Sequence, residues 1–275
     1  MTADLVAQWL PSIALLSCAG LAAGLVAGLL GVGGGIVMVP ALEFAFAALG
    51  VPDELRMHLA VGTSLTLIVP TALASSRAHR AAGAVDEHVG ALWAPAMAGG
   101  AVAGAALAGA VSGAVLSAVF ACVALLAAAK MLLPLEQLRL NDKVPQGAAG
   151  RVVPGAIGLV SAMMGIGGGT LSVPVLHLYG VPVHRAVGTS AWLGLWVAVP
   201  AAAGFAMLGF GVPGRPPGSL GYVSLVAVAL LWPAGWLAAP WGARLAHRLP
   251  RRYLSVAFGA FLLLVALRMG SRSLS

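Results

Sequence analysis

Apolar residues run along this chain in long blocks that carry almost no charge. Five blocks lie near residues 11–30, 36–49, 59–76, 89–110 and 114–133, and five more near 152–165, 169–179, 187–210, 219–241 and 253–270. Blocks of this length and apolarity predict membrane helices. The segments flanking two glycine runs, GVGGGIVMVP at 31–40 and GIGGGTLSVP at 165–174, are short. Residues 169–179 cannot cross about 30 Å of hydrocarbon as a straight helix. The pattern there fits a half-helix, a re-entrant hairpin or a tilted span in a thinned bilayer.

The two glycine runs belong to a larger repeat. Gly33 aligns with Gly167 and Pro40 with Pro174 at an offset of 134, and AVGTS at 60–64 returns at 186–190 at an offset of 126. Pro95 and Pro233, Gly104 and Gly242, and Phe120 and Phe258 follow at an offset of 138. Blocks recurring in one order indicate two homologous halves. The expected organisation is a first transmembrane repeat over 1–133, a polar linker over 134–151 and a second repeat over 152–275.

Composition supports this picture. Of 275 residues, 60% are hydrophobic and 8% charged, and the mean hydropathy is +1.00, whereas a soluble chain carries about 25% charged residues. The net charge of +7 sits in short segments between apolar blocks, which explains it by topology and not by nucleic acid. If each glycine-containing pair of segments forms a hairpin, the 15 Lys and Arg residues divide 11 against 4 between the two sides; a single broken span gives 9 against 6. The positive-inside tendency favours the hairpin. That arrangement inverts the second repeat and puts both termini outside the cytoplasmic membrane. No basic residue precedes Arg56, so a cleaved signal peptide is not expected. Cys18 and Cys122 lie in apolar blocks and are expected to be buried hydrophobes. The fold class is therefore an all-α polytopic membrane protein, with two inverted-topology repeats of about five segments and glycine-rich helix breaks near the midplane.

Inverted repeats with interrupted helices place a binding site between the halves, at the breaks. A helix N-terminus presents unpaired N–H groups and a partial positive charge, and glycine lets an anion approach them. Gly33, Gly34 and Gly35 and their counterparts Gly167, Gly168 and Gly169 are thus candidates for one anion cradle. Close helix packing is the alternative use of glycine, and it is the preferred one for Gly100 and Gly104. Thr63, Ser64, Thr189 and Ser190 of the AVGTS pair, with Thr170, add hydroxyl donors; capping and packing compete as explanations. Thr170 and Ser172 correspond to Ile36 and Met38, so the cradle is expected to be asymmetric. Glu43 and His177 occupy matching positions among apolar residues and are candidates for proton coupling, unless they meet water at an interface. His58 is read as an interfacial loop residue. Arg56 and Arg185 either draw anions toward a vestibule or are ordinary loop charges. Trp192 and Trp196 are read as packing residues.

Neither glycine run is followed by Lys-Ser/Thr, so the phosphate-loop pattern fails, and nothing indicates a metal or a cofactor. A membrane enzyme would need a nucleophile with its base, or clustered ligands; none appears in the sequence. The doubled pair GxGGGxxxxP and AVGTS resembles the TauE/SafE family of sulfite and organosulfonate exporters, also known as TSUP permeases, over essentially the whole chain. The resemblance implies secondary transport of a small sulfur-containing anion through a lipid bilayer. An anion channel of the same architecture, or a carrier for a non-sulfur anion, stays open, as does a homodimer.

Overall fold

The structure is a computed structural model and describes residues 2–30, 35–132, 145, 147, 149–246 and 251–273. These residues form ten helices and one short hairpin. In the first half they are α1 (Thr2–Leu30), α2 (Gly35–Ala48), α3 (Asp53–Ala81), α4 (Glu87–Ala110) and α5 (Gly113–Leu132). In the second they are α6 (Ala149–Met164), α7 (Gly169–Leu178), α8 (Val183–Leu208), α9 (Leu225–Ala246) and α10 (Arg251–Ser273). Helices α3, α4 and α8 are long and apolar enough to cross a membrane.

Several helices extend beyond their apolar blocks, and one block changes its structure. The block expected from residue 219 begins as a two-stranded antiparallel hairpin, β1 (Ser219–Leu220) and β2 (Val223–Ser224), and the helix starts at Leu225. Gly218 and Gly221 have φ of 75° and 57°, a left-handed backbone that no helix continues. Ser224 then caps α9, its hydroxyl accepting the Ala227 N–H at 3.2 Å.

The main helix pairs each join one half to the other: α1 with α9, α4 with α6, α5 with α10, and α3 with α8. Glycine sets the closest crossings. A Cβ on Gly24 would overlap Gly235, and one on Gly158 would overlap Met97. These contacts are counterparts, since Gly24 aligns with Gly158 and Met97 with Gly235. Gly100 and Gly104 likewise lie against Gly155 and Leu159 of α6, so their role is packing.

The outer surface is apolar. Leu126, Leu264 and Leu267 are each about two-thirds exposed, at 66%, 64% and 66%. A soluble protein would bury such residues, whereas lipid tails solvate them. Cys18 and Cys122 lie on this exposed surface rather than inside, because an apolar block in a membrane protein faces outward as readily as inward.

Candidate functional site

GIGGG separates α6 from α7 by a turn that requires its glycines. Gly165, Gly167 and Gly168 have φ of 74°, 65° and 77°, a region that a β-carbon strongly disfavours. The turn folds against α2: a Cβ on Gly35 would lie 2.7 Å from the Ile166 Cα and 3.0 Å from the Gly165 carbonyl oxygen. The start of α2 and the break before α7 are therefore neighbours, and two helix N-termini converge. Gly33 and Gly34 lie outside the described residues.

A cavity of about 320 Å³ opens beside this junction. Gly35, Gly167 and Gly169 line it, together with Ser64 and Ser190, one serine from each AVGTS block. No charged side chain among the described residues lines it. Ser64 donates its hydroxyl to the Gly165 carbonyl at 2.8 Å. Ser190 is 1% exposed, and its hydroxyl has no hydrogen-bond partner among the described residues. A buried hydroxyl on a cavity wall without a partner among the described residues leaves its hydrogen-bonding capacity unspent.

The two threonines do something else. Thr63 accepts the Ser224 N–H at 3.0 Å, and Thr189 accepts the Asp86 N–H at 2.8 Å. Ser224 and Asp86 are matching residues and cap the starts of α9 and α4. Each AVGTS block thus places its serine on the cavity and uses its threonine to pin the next helix of the opposite half.

The remaining sequence candidates are dispersed. Thr170 is half-buried in the first turn of α7 and does not line the cavity. Gly168 points toward the Met97 Cε and Val197 Cγ2, at 2.9 and 3.0 Å from where its Cβ would be. Ser172 directs its hydroxyl at the Met97 sulfur, 3.9 Å away. Glu43 is buried at 1% exposure and lines a second, mostly apolar cavity of about 330 Å³ between α1, α2 and α10, which also includes Arg268. His177 is exposed at the end of α7, with Nδ1 3.4 Å from the Val181 carbonyl. Arg56 is held locally by the Val51 carbonyl and by an ion pair with Asp53. Arg185 is exposed. Trp192 and Trp196 pack edge-to-face at 5.9 Å, with Arg80 over the Trp192 ring. His58 is not in a loop: it sits inside α3 and is buried.

Four polar or aromatic lining residues escape a motif search. Thr71 and Ser75 follow Ser64 by two and three turns on one stripe of α3, and Trp232 and Trp236 of α9 form the facing wall. Helical spacing from Ser64 would have found the first two. The tryptophans carry no sequence signal, because the pairing of α9 with α1 is what brings them there. Helices α3 and α9 both line the cavity. The corresponding pair, α8 and α4, is packed along its length, whereas α9 touches α3 over only a short stretch.

Comparison with known proteins follows the same outline. The family model described as sulfite exporter TauE/SafE matches residues 16–269. The chain belongs to the TauE/SafE family. A "Probable membrane transporter protein" of Haemophilus influenzae is 32% identical to this TauE/SafE protein over 250 residues, covering 91% of this chain and 95% of the relative. The "Probable membrane transporter protein YunE" of Bacillus subtilis is 26% identical, covering 66% and 74%. A "Probable membrane transporter protein" of Methanocaldococcus jannaschii is 25% identical, covering 69% and 71%. No solved structure matches the chain. Family and relatives together identify a membrane transporter of the TauE/SafE type.

Proposed function

We propose that this TauE/SafE protein is a secondary active transporter for a small sulfur-containing anion of the sulfonate, sulfite or thiosulfate class. The observation that carries the reading is the cavity in which Gly35, Gly167, Gly169, Ser64 and Ser190 meet beside two helix starts. Backbone dipoles and hydroxyls bind an oxyanion without a fixed cation, so the anion is held but can be released. Ser190, whose hydroxyl has no partner among the described residues, supplies a donor for one oxygen.

The uneven packing of α4–α8 and α9–α3 supports alternating access. Helices α4 and α8 approach each other from Gly90 and Trp192 to Gly109 and Leu208, whereas α9 and α3 touch over a short stretch, an asymmetry that a carrier resting with one side closed would have. In the orientation set by the basic residues, the protein lies in the cytoplasmic membrane with both termini outside, and the mouth beside Thr71 and Ser75 faces the cytoplasm. An ion gradient supplies the work. Glu43, buried in the second cavity, and His177 are the proposed proton carriers.

Uptake into proteoliposomes of the purified protein tests this reading. Radiolabelled sulfite, thiosulfate, taurine and sulfoacetate are offered with and without an inward proton gradient. Saturable uptake of one of them, accelerated by the same anion inside, is the expected result. Non-saturating flux without exchange indicates a channel. No uptake of any removes the sulfur-anion class.

A further inference from the structure

His58 is buried at 5% exposure, and both of its ring nitrogens face only acceptors. Nδ1 lies 3.2 Å from the Glu54 carbonyl. Nε2 lies 3.0 Å from the Ala108 carbonyl and 3.2 Å from that of Val111. A neutral imidazole carries one N–H, so either tautomer would point a lone pair at a carbonyl oxygen; only the imidazolium donates on both sides. The Ala108 and Val111 carbonyls end α4, where the helix leaves acceptors unpaired and concentrates negative partial charge.

This cluster sits where the end of α4 packs against the end of α8, with Gly109 against Leu208. The ring of Tyr222 from the hairpin lies 4.9 Å from His58, and the Tyr222 N–H donates to the Phe205 carbonyl of α8. His58 therefore joins α3 to the end of α4, beside the segment that ties α8 and α9. Tyr222 is the ionisable group facing it from the hairpin, and Arg215, in the loop against the start of α3, donates to the Val212 carbonyl. On α3 itself the neighbours are Glu54, Asp53 and Arg56. From α4 only main-chain carbonyls face the ring. His184 stands in the same place before the second AVGTS block, two residues ahead of its alanine, and is exposed. The same motif position is buried against the end of α4 in the first half and exposed in the second.

We propose that His58 is a positioning residue that acts as a proton-operated latch: as an imidazolium it clamps the start of α3 to the carbonyl end of α4 and holds that face shut, and loss of its proton frees the face to open. The proposal rests on the alternation of the two halves argued above, but its test needs no substrate, so failure to transport any sulfur anion would not decide it.

The test is cysteine labelling of full-length protein in proteoliposomes, with Cys18 and Cys122 replaced by serine. Ala108→Cys reports the buried face, and Ser112→Cys, exposed in the next loop, provides the reference rate. The ratio of the two rates with a charged thiol reagent is followed from about pH 5.5 to about pH 8.5, the range that brackets histidine titration. The expected ratio rises at least about tenfold with pH, the scale of one charge-assisted hydrogen bond. His58→Gln should give a high ratio at both ends, and His58→Lys, which keeps a cation, a low ratio at both. A flat wild-type ratio overturns the latch, as does an unchanged pH dependence in His58→Gln. If His58→Gln does not fold, the lysine variant decides: a low, flat ratio supports the latch, and the wild-type pH dependence overturns it.

Discussion

The Ser64 hydroxyl donates a 2.8 Å hydrogen bond to the carbonyl of Gly165, so the AVGTS block of the first half holds the glycine turn of the second. Its counterpart Ser190 has no such partner among the described residues and lines the same cavity. Two serines that are equivalent in sequence thus differ in role, and their alanine variants should differ too. Ser64→Ala leaves a buried carbonyl unpaired and should cost about 1–3 kcal/mol of stability. Ser190→Ala should leave the melting temperature unchanged while raising KM for the transported anion by about tenfold to a hundredfold, the loss of one hydrogen bond to a charged guest. Thermal unfolding of both variants beside their uptake kinetics checks this; equal destabilisation by the two would remove the distinction.

The threonines should behave as a matched structural pair. Thr63→Val and Thr189→Val each strip the acceptor from a helix-capping N–H, at Ser224 and Asp86 respectively. Each should lower stability by about 1–3 kcal/mol, and serine at either position should restore most of it. Denaturation of the purified variants measures the effect. A transport defect without destabilisation would instead make these threonines substrate ligands.

Within GIGGG, the glycines separate by backbone and by space. Gly167 has φ of 65°, and its Cβ would come within 2.7 Å of the Ile68 Cγ2, so Gly167→Ala should destabilise the protein. Gly169 has no left-handed φ, and the nearest atom to its Cβ would be the Ser190 carbonyl oxygen at 3.8 Å. Gly169→Ala should therefore fold normally, while its methyl group narrows the cavity and reduces uptake. Normal uptake by well-folded Gly169→Ala would argue that the anion sits elsewhere. Gly168→Leu, which drives a side chain onto Met97 and Val197, should abolish uptake in any case.

Thr71 tests the path to the cavity. Its hydroxyl bonds back to the Ile68 carbonyl of its own helix at 2.9 Å, so no distant contact depends on it. Thr71→Leu should keep the fold and fill the space between α3 and α9. Uptake should fall to background at unchanged expression and melting temperature. Wild-type uptake would place the route on another side of α3.

Much of this protein is legible in the order of its residues. A membrane span must be largely apolar along its length, so the helices could be counted from the order of apolar blocks along the chain. A duplicated half leaves the same short motifs at nearly constant offsets, so Gly35, GIGGG and the two AVGTS blocks marked segments that line the cavity. What one strand of sequence could not determine was the division of labour inside those motifs. Thr63 and Ser64 are adjacent and chemically alike, yet one faces a helix cap and the other a cavity, because successive residues on a helix point about 100° apart and only the neighbouring helices decide what lies there. The same holds for His58, whose partners Ala108 and Val111 are 50 and 53 residues away, and for Trp232 and Trp236, brought to the cavity wall by the pairing of α9 with α1. Apolarity and repetition are properties of a chain. The satisfaction of a hydroxyl or an imidazole is a property of what packs against it, and that was settled only when the two halves interleaved.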